Sequence, residues 1–160
     1  MKSTLSAIRI ATPADRPAML AIINAAFAIE TFIEGTRTND AELTSMMEKG
    51  IFLLGLGERD QIVASVYVEI KGARGYFGML SIDPAQQGNG FSRTMVQAAE
   101  DYCREQGCTA MDLTVVSLRT ELPPLYCKFG YVEKGTEEFR PSRPLKDGFK
   151  CHLIVMSKNL

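Results

Sequence analysis

Residues 62–71 alternate along their whole length. Ile62, Ala64, Val66, Val68 and Ile70 share one face, and Val63, Ser65, Tyr67, Glu69 and Lys71 share the other. A period of two is the mark of an extended strand. Its neighbours make it constraining. An apolar run at 51–58 reaches it through the turn Arg59-Asp60-Gln61, and a glycine-flanked connection at 72–75 leads on to another run at 76–82. Three strands joined by turns this short have to be antiparallel, because a parallel pair needs a crossover of a dozen or more residues. A doubly wound parallel sheet is therefore excluded.

The rest of the chain switches between helical and strand periods. Residues 6–10 read as an opening strand. Asp15 is expected to cap a helix with Pro17 in its first turn, and Met19, Leu20, Ile23, Ala26 and Phe27 share one face of it. Residues 29–37 show no period and read as a loop or broken helix, and a second helix starts at Thr38 or Asn39 and ends at Gly50. A long helix is predicted from about 90 to 106, with Met95, Ala98, Ala99, Tyr102 and Cys103 at core spacing, then a strand at 110–116. A short helix at 122–129 and two strands, 131–139 and 149–158, around a proline-rich turn complete the chain. The predicted order is β, α, α, β, β, β, α, β, α, β, β. This describes an α/β (α+β) fold: one mixed, mostly antiparallel seven-stranded sheet flanked by about four helices. The strand–helix–strand unit across 76–116 should be its right-handed parallel crossover.

The 160 residues suit a single domain over the whole length, 1–160, and an apolar fraction of 46% is enough for a core. Eighteen basic residues balance nineteen acidic ones, which argues against a nucleic-acid partner. The longest apolar run, around 51–56, is far too short to span a membrane, and Met1-Lys2-Ser3-Thr4 does not open a secretory leader. Cys103, Cys108, Cys127 and Cys151 form no Cys-x-x-Cys pair and stand with one histidine, His152, so no metal site is expected. Reduced thiols and a cytoplasmic location are the simplest reading, with Cys103 and Cys127 acting as small buried apolar residues.

The most informative segment is the strand end Leu80-Ser81-Ile82, followed by Asp83-Pro84-Ala85-Gln86 and then Gln87-Gly88-Asn89-Gly90-Phe91-Ser92-Arg93 at the start of the long helix. The first turn of a helix leaves backbone N–H groups without internal partners, and its dipole favours negative charge. Gly88 and Gly90 allow unusual dihedrals and close approach, so the segment can cradle a pyrophosphate. Only Arg93 brings positive charge nearby. The Gly-x4-Gly-Lys-Ser/Thr motif of nucleotide hydrolases is absent, and Gly88-Asn89-Gly90 is too short for a dinucleotide fingerprint.

Gln87 and Gly90 match the Gln/Arg-x-x-Gly-x-Gly/Ala motif of the GNAT superfamily, the Gcn5-related N-acetyltransferases, with Ser92 in place of the usual last glycine or alanine. Leu125-Tyr126-Cys127-Lys128-Phe129-Gly130-Tyr131 is similar to that family's Leu-Tyr-x-x-x-Gly-Phe/Tyr signature. The element order resembles the family over nearly the whole chain.

The resemblance implies an acetyl-CoA cleft between splayed fourth and fifth strands. Main-chain groups of Gln87, Gly88, Asn89, Gly90, Phe91, Ser92 and Arg93 would bind the pyrophosphate, and those of Leu80, Ser81 and Ile82 the pantetheine arm. A bulge near Leu80 would free N–H groups for the thioester carbonyl. Tyr126 matches the family tyrosine that protonates the leaving thiolate. The acceptor would be a small-molecule or peptide amine, and a homodimer is left open. Glu69, Glu121 or water would take the amine proton, and His152 could line the acceptor site. Glu30 and Glu34 could draw a cationic amine. The chain departs from the family pattern at Arg119 and Leu122, where many members carry asparagine and alanine; Arg119 could meet an acceptor carboxylate or bridge to Glu121. A non-catalytic acyl-CoA-binding module and a transferase for longer acyl groups are the alternatives.

Overall fold

The computed structural model describes residues 3–140 and 143–160. The expectations placed on Met1-Lys2 and on the Pro141-Ser142 part of the late turn lie outside these residues. The chain forms β1 (Ala7–Ile10), α1 (Arg16–Ala26), α2 (Asp40–Lys49), β2 (Ile51–Leu56), β3 (Ile62–Lys71), β4 (Arg74–Ile82), α3 (Phe91–Glu105), β5 (Ala110–Val116), α4 (Leu122–Lys128), β6 (Val132–Glu138) and β7 (His152–Asn159). The strands make one sheet in the order β1-β2-β3-β4-β5-β7-β6. Every pair is antiparallel except β4 with β5. The predicted element order and mixed sheet hold, and β7 enters between β5 and β6.

Helices cover both faces of the central strands, so both alternating faces of β3 are buried. Ala64, Val66 and Val68 join Phe77, Met95, Ala99 and Leu113 in one core layer. Tyr67 joins Met19, Ile23, Leu43, Phe52 and Leu54 in the other. Burying each large apolar side chain is worth about 1.5–3 kcal/mol, and α3, with Met95, Val96, Ala99 and Cys103 on one face, contributes most to the first layer.

Several boundaries differ from the sequence reading. β2 stops at Leu56, where the register with β3 shifts. β4 begins at Arg74, because the hairpin turn is confined to Gly72-Ala73. β7 begins only at His152, because residues 144–146 pair with the α1–α2 loop instead: Ile33 bridges Leu145, Glu34 N–H donates to Pro144 O (3.1 Å) and Lys146 N–H donates to Phe32 O (2.9 Å). Asp15 precedes α1, but its carboxylate makes no cap bond there. It accepts instead from Thr12 N–H (2.8 Å) and from both terminal nitrogens of Arg9 (2.8 and 2.9 Å). Asn39 does cap α2, accepting from Glu42 N–H. Cys103 is buried as expected, but Cys127 is exposed, because α4 turns Tyr126 rather than its neighbour toward the core.

Candidate active site

Two features of β4 shape the centre of the molecule. On its β5 side the pairing covers only Arg74 with Ala110, Gly75 with Met111 and Tyr76 with Asp112; beyond these the strands part. The root of the opening is held by a two-pronged ion pair, in which Arg74 Nε and Nη2 donate to the two oxygens of Asp112 (2.8 and 2.7 Å). On its β3 side the register slips. Ser65 faces Ser81 and Tyr67 faces Gly78, so Met79 and Leu80 together stand opposite Val66. This is the bulge expected near Leu80. Met79 takes a left-handed φ of 48°, a strained value for a residue with a side chain. The extra residue reverses the alternation: Phe77 packs in one core layer and Met79 in the opposite one, while Leu80 and Ile82 return to the layer of Phe77.

A cavity of about 500 Å³ fills the opening. Gly78, Leu80 and Ile82 from β4, Leu113–Val116 from β5, Gln87 and Ser92 from the following loop and helix, and Tyr126 all line it. Of the other sequence-derived candidates, Ser81 is fully buried and donates its hydroxyl to Met79 O (2.9 Å). Asn89 is used within the loop: its side chain donates to Gln86 O (2.9 Å) and accepts from Ser3 N–H (3.0 Å). The Phe91 ring is buried, and Arg93 stacks its guanidinium 4.7 Å from the centre of the Phe129 ring. Gly88 and Gly90 have φ of 85° and 77°, and a methyl group added at either would meet nothing within 4 Å. No side chain caps α3, and its first internal bond is Thr94 N–H to Gly90 O, so the N–H groups of Phe91, Ser92 and Arg93 find no partner within the helix.

Tyr126 is positioned by the end of its helix. Pro123 and Pro124 occupy the first turn, where a missing N–H costs little. At the other end Gly130 adopts φ 97°, Gly130 N–H donates to Cys127 O (3.1 Å) and Tyr131 N–H donates to Tyr126 O (3.0 Å). That is a Schellman closure, and it explains the glycine of the motif. The Tyr126 ring meets Phe77, Phe129 and Tyr131 edge-on. Burial pushes its phenol up to about 12, against a smaller opposing pull from Arg119.

Arg119 also lines the cavity and bridges two acids, Glu30 Oε2 at 2.9 Å and Glu121 Oε1. The bridge reading is therefore the one the geometry supports, with Glu30 as an additional partner. Burial raises Glu121, but the hydrogen bond and charge of Arg119 outweigh it and leave the carboxyl below its ordinary value. Glu69 lies beside Tyr67 on β3 and His152 is exposed at the start of β7; neither lines the cavity, and nor does Glu121. Arg37, Glu42, Tyr76 and Arg143 do. Sequence reasoning missed these four, since the two arginines sit in aperiodic loops and meet only through long-range pairing.

The model of the acetyltransferase (GNAT) domain family matches residues 21–142. A mycothiol acetyltransferase of Renibacterium salmoninarum is 32% identical over 128 residues, covering 73% of this chain; the chain spans 37% of that protein's length. The ribosomal-protein-alanine N-acetyltransferase of Brucella melitensis superimposes with a TM-score of 0.75 at 22% identity, over 96% of this chain and 99% of that one. A phosphinothricin acetyltransferase from Sinorhizobium meliloti, solved in complex with acetyl-CoA, gives 0.73 at 16% identity, over 100% and 89%. Sequence motifs, splayed sheet and domain match agree, and the chain belongs to the GNAT acetyltransferase family.

Proposed function

We propose that this chain transfers an acetyl group from acetyl-CoA to a primary amine by direct attack in a ternary complex, with Tyr126 protonating the departing thiolate. The carrying observation is the combination of a bulged, one-sidedly unpaired β4 with an uncapped helix start beside it. Acetyl-CoA, once bound, supplies the acyl carbonyl and the thiolate leaving group. The chain's groups fit it: the space over Gly88 and Gly90 admits a bulky anion, and the N–H groups of residues 87–93 can hold a pyrophosphate. The loose edge of β4 at Leu80, Ser81 and Ile82 offers strand-like hydrogen bonds to an extended amide-bearing arm.

Backbone N–H groups released at Met79–Leu80 polarise the carbonyl and steady the oxyanion that forms as the amine nitrogen attacks. As the C–S bond breaks, Tyr126 gives its proton to sulfur. The amine proton leaves through water in the cavity, because both lining carboxylates already face a guanidinium: Glu30 with Arg119 and Glu42 with Arg37. The relatives named for mycothiol, alanine and phosphinothricin acetylation support an amine acceptor of small-molecule or peptide type.

Tyr126→Phe should lower kcat by about 10²–10⁴-fold while the calorimetric affinity for acetyl-CoA stays within a factor of two or so. A variant that turns over normally would remove the acid role. Because burial holds the phenol near 12, wild-type activity should show no alkaline fall from this group at pH 6–9, roughly the working range of such catalysis. Absence of any heat with acetyl-CoA would overturn the whole reading, and tight binding without turnover on any amine would leave a non-catalytic binding module.

A further inference from the structure

One wall of the cavity is built by two segments that pair with each other, residues 27–38 and 143–146, with Phe139 and Arg140 lining it as well. Among the described residues four arginines line the cavity, three on this wall and Arg119 on the β5–α4 connection, and they are not equivalent. Arg119 is saturated by Glu30 and Glu121. Arg140 pairs with Glu138 on the surface. Arg37 stacks 5.3 Å from the centre of the Phe27 ring and has a long contact of 3.7 Å to Glu42. Arg143 makes no ion pair among the described residues, and its Nε is buried with no hydrogen-bond partner among them.

A buried guanidinium nitrogen without an acceptor is costly, and such groups are normally paired. The neighbourhood adds to the cost. Burial and the nearby charge of Arg37 both lower the pKa of Arg143, only partly offset by Glu42 and Glu30. A ligand carboxylate would remove both penalties, accepting from the planar donors of Arg143 and screening it from Arg37. The acids that line the cavity do not offer the converse site for a polycation, because Glu30 is occupied by Arg119 and Glu42 faces Arg37.

The geometry points to an acceptor that is a small amine carrying a carboxylate, held by Arg143 with Arg37 beside it, so that the amine end is presented toward the β4–β5 opening. This rests on the transferase reading above and names its substrate class.

The test compares amino acids with their carboxamides as acceptors at saturating acetyl-CoA, in the wild type and in Arg143→Gln, Arg143→Lys and Arg37→Gln. Free acids should exceed carboxamides in kcat/KM by at least about tenfold in the wild type, as charge-assisted pairing to a guanidinium predicts. Arg143→Gln should abolish that preference by raising KM for the acids, with the calorimetric affinity for acetyl-CoA unchanged. Arg143→Lys should restore part of it, and Arg37→Gln should weaken it. A second readout needs no turnover: with CoA present, N-acetyl amino acids should raise the melting temperature of the wild type, and neither their carboxamides nor the Arg143→Gln protein should show the shift.

Equal use of acids and carboxamides, a preference that survives Arg143→Gln, or no stabilisation by any N-acetyl acid overturns the proposal. So does a selective loss of acetyl-CoA affinity in Arg143→Gln, which would assign the guanidinium to the cosubstrate. The transferase reading fails separately, through absent acetyl-CoA binding in the wild type.

Discussion

Replacing Lys158 with methionine should destabilise the fold far more than a typical surface change. Lys158 Nζ lies 3.0 and 3.2 Å from the two oxygens of Glu100 and donates to Phe129 O at 2.9 Å. Glu100 sits in the middle of α3 with 1% of its surface exposed, and it also accepts from the Tyr131 hydroxyl at 2.7 Å. Burial, followed by this bond, keeps the Tyr131 phenol protonated and donating. Removing the ammonium would leave the carboxylate with one phenol and a 3.8 Å contact to Arg104. Breaking a fully buried ion pair costs about 3–5 kcal/mol. The lysine is a quarter exposed and Arg104 remains, so about 2–3 kcal/mol is the reasonable expectation here. With a urea slope of about 1–3 kcal/mol per molar for a domain of this size, the unfolding midpoint should fall by roughly 1–2 M. Circular dichroism during urea titration measures it. The double variant Lys158→Met, Glu100→Gln should recover more than half of the loss, because the orphaned charge is gone. A midpoint within about 0.3 M of the wild type for Lys158→Met, a shift too small for a buried orphan charge, would refute the argument.

Two further outcomes can be measured on the same material. Gly90→Ala should cost about 1–2 kcal/mol in stability from its left-handed backbone, and Gly90→Glu should add a loss of acetyl-CoA affinity of at least about tenfold through like charge at close range; a folded Gly90→Glu protein with normal calorimetric affinity would relocate the pyrophosphate. Asp15→Asn should lower the melting temperature at neutral pH. The Arg9 and Thr12 bonds hold the Asp15 carboxyl below its ordinary value, so its contribution is present above about pH 4 and is lost as the pH falls through the depressed native value, and the gap between the variants should close in acid. A gap that persists at low pH would assign the effect to something other than ionisation.

The parts of this fold that were legible in the sequence are those with local causes. The alternation of residues 62–71 fixed an interior strand, Gly88 and Gly90 marked the entry to α3, and Gly130 marked the turn that seats Tyr126. The insertion of β7 between β5 and β6 has no local signal, since it depends on which edges remain open once the crossover is made. The cap at Asp15 was misread because Arg9, six residues earlier, competes for the same carboxylate. The acceptor wall was least legible: Arg37 and Arg143 are more than a hundred positions apart, and their loops come together through long-range backbone pairing of residues 32–34 with residues 144–146. Glu30 looked like a free acid on an aperiodic stretch, but it proved to be the partner of Arg119, 89 residues away.

The fork between Arg74 and Asp112 has a consequence for the protein's behaviour in solution. It pins the two parallel strands at one end, and beyond Tyr76 they run apart. Past that point the sheet has two raw margins in its interior rather than at its rim. Such margins are templates for stray strands, and a long thioester lying between them would act as a temporary eighth strand. Storage with coenzyme A should accordingly suppress self-association more than its thermal stabilisation alone accounts for.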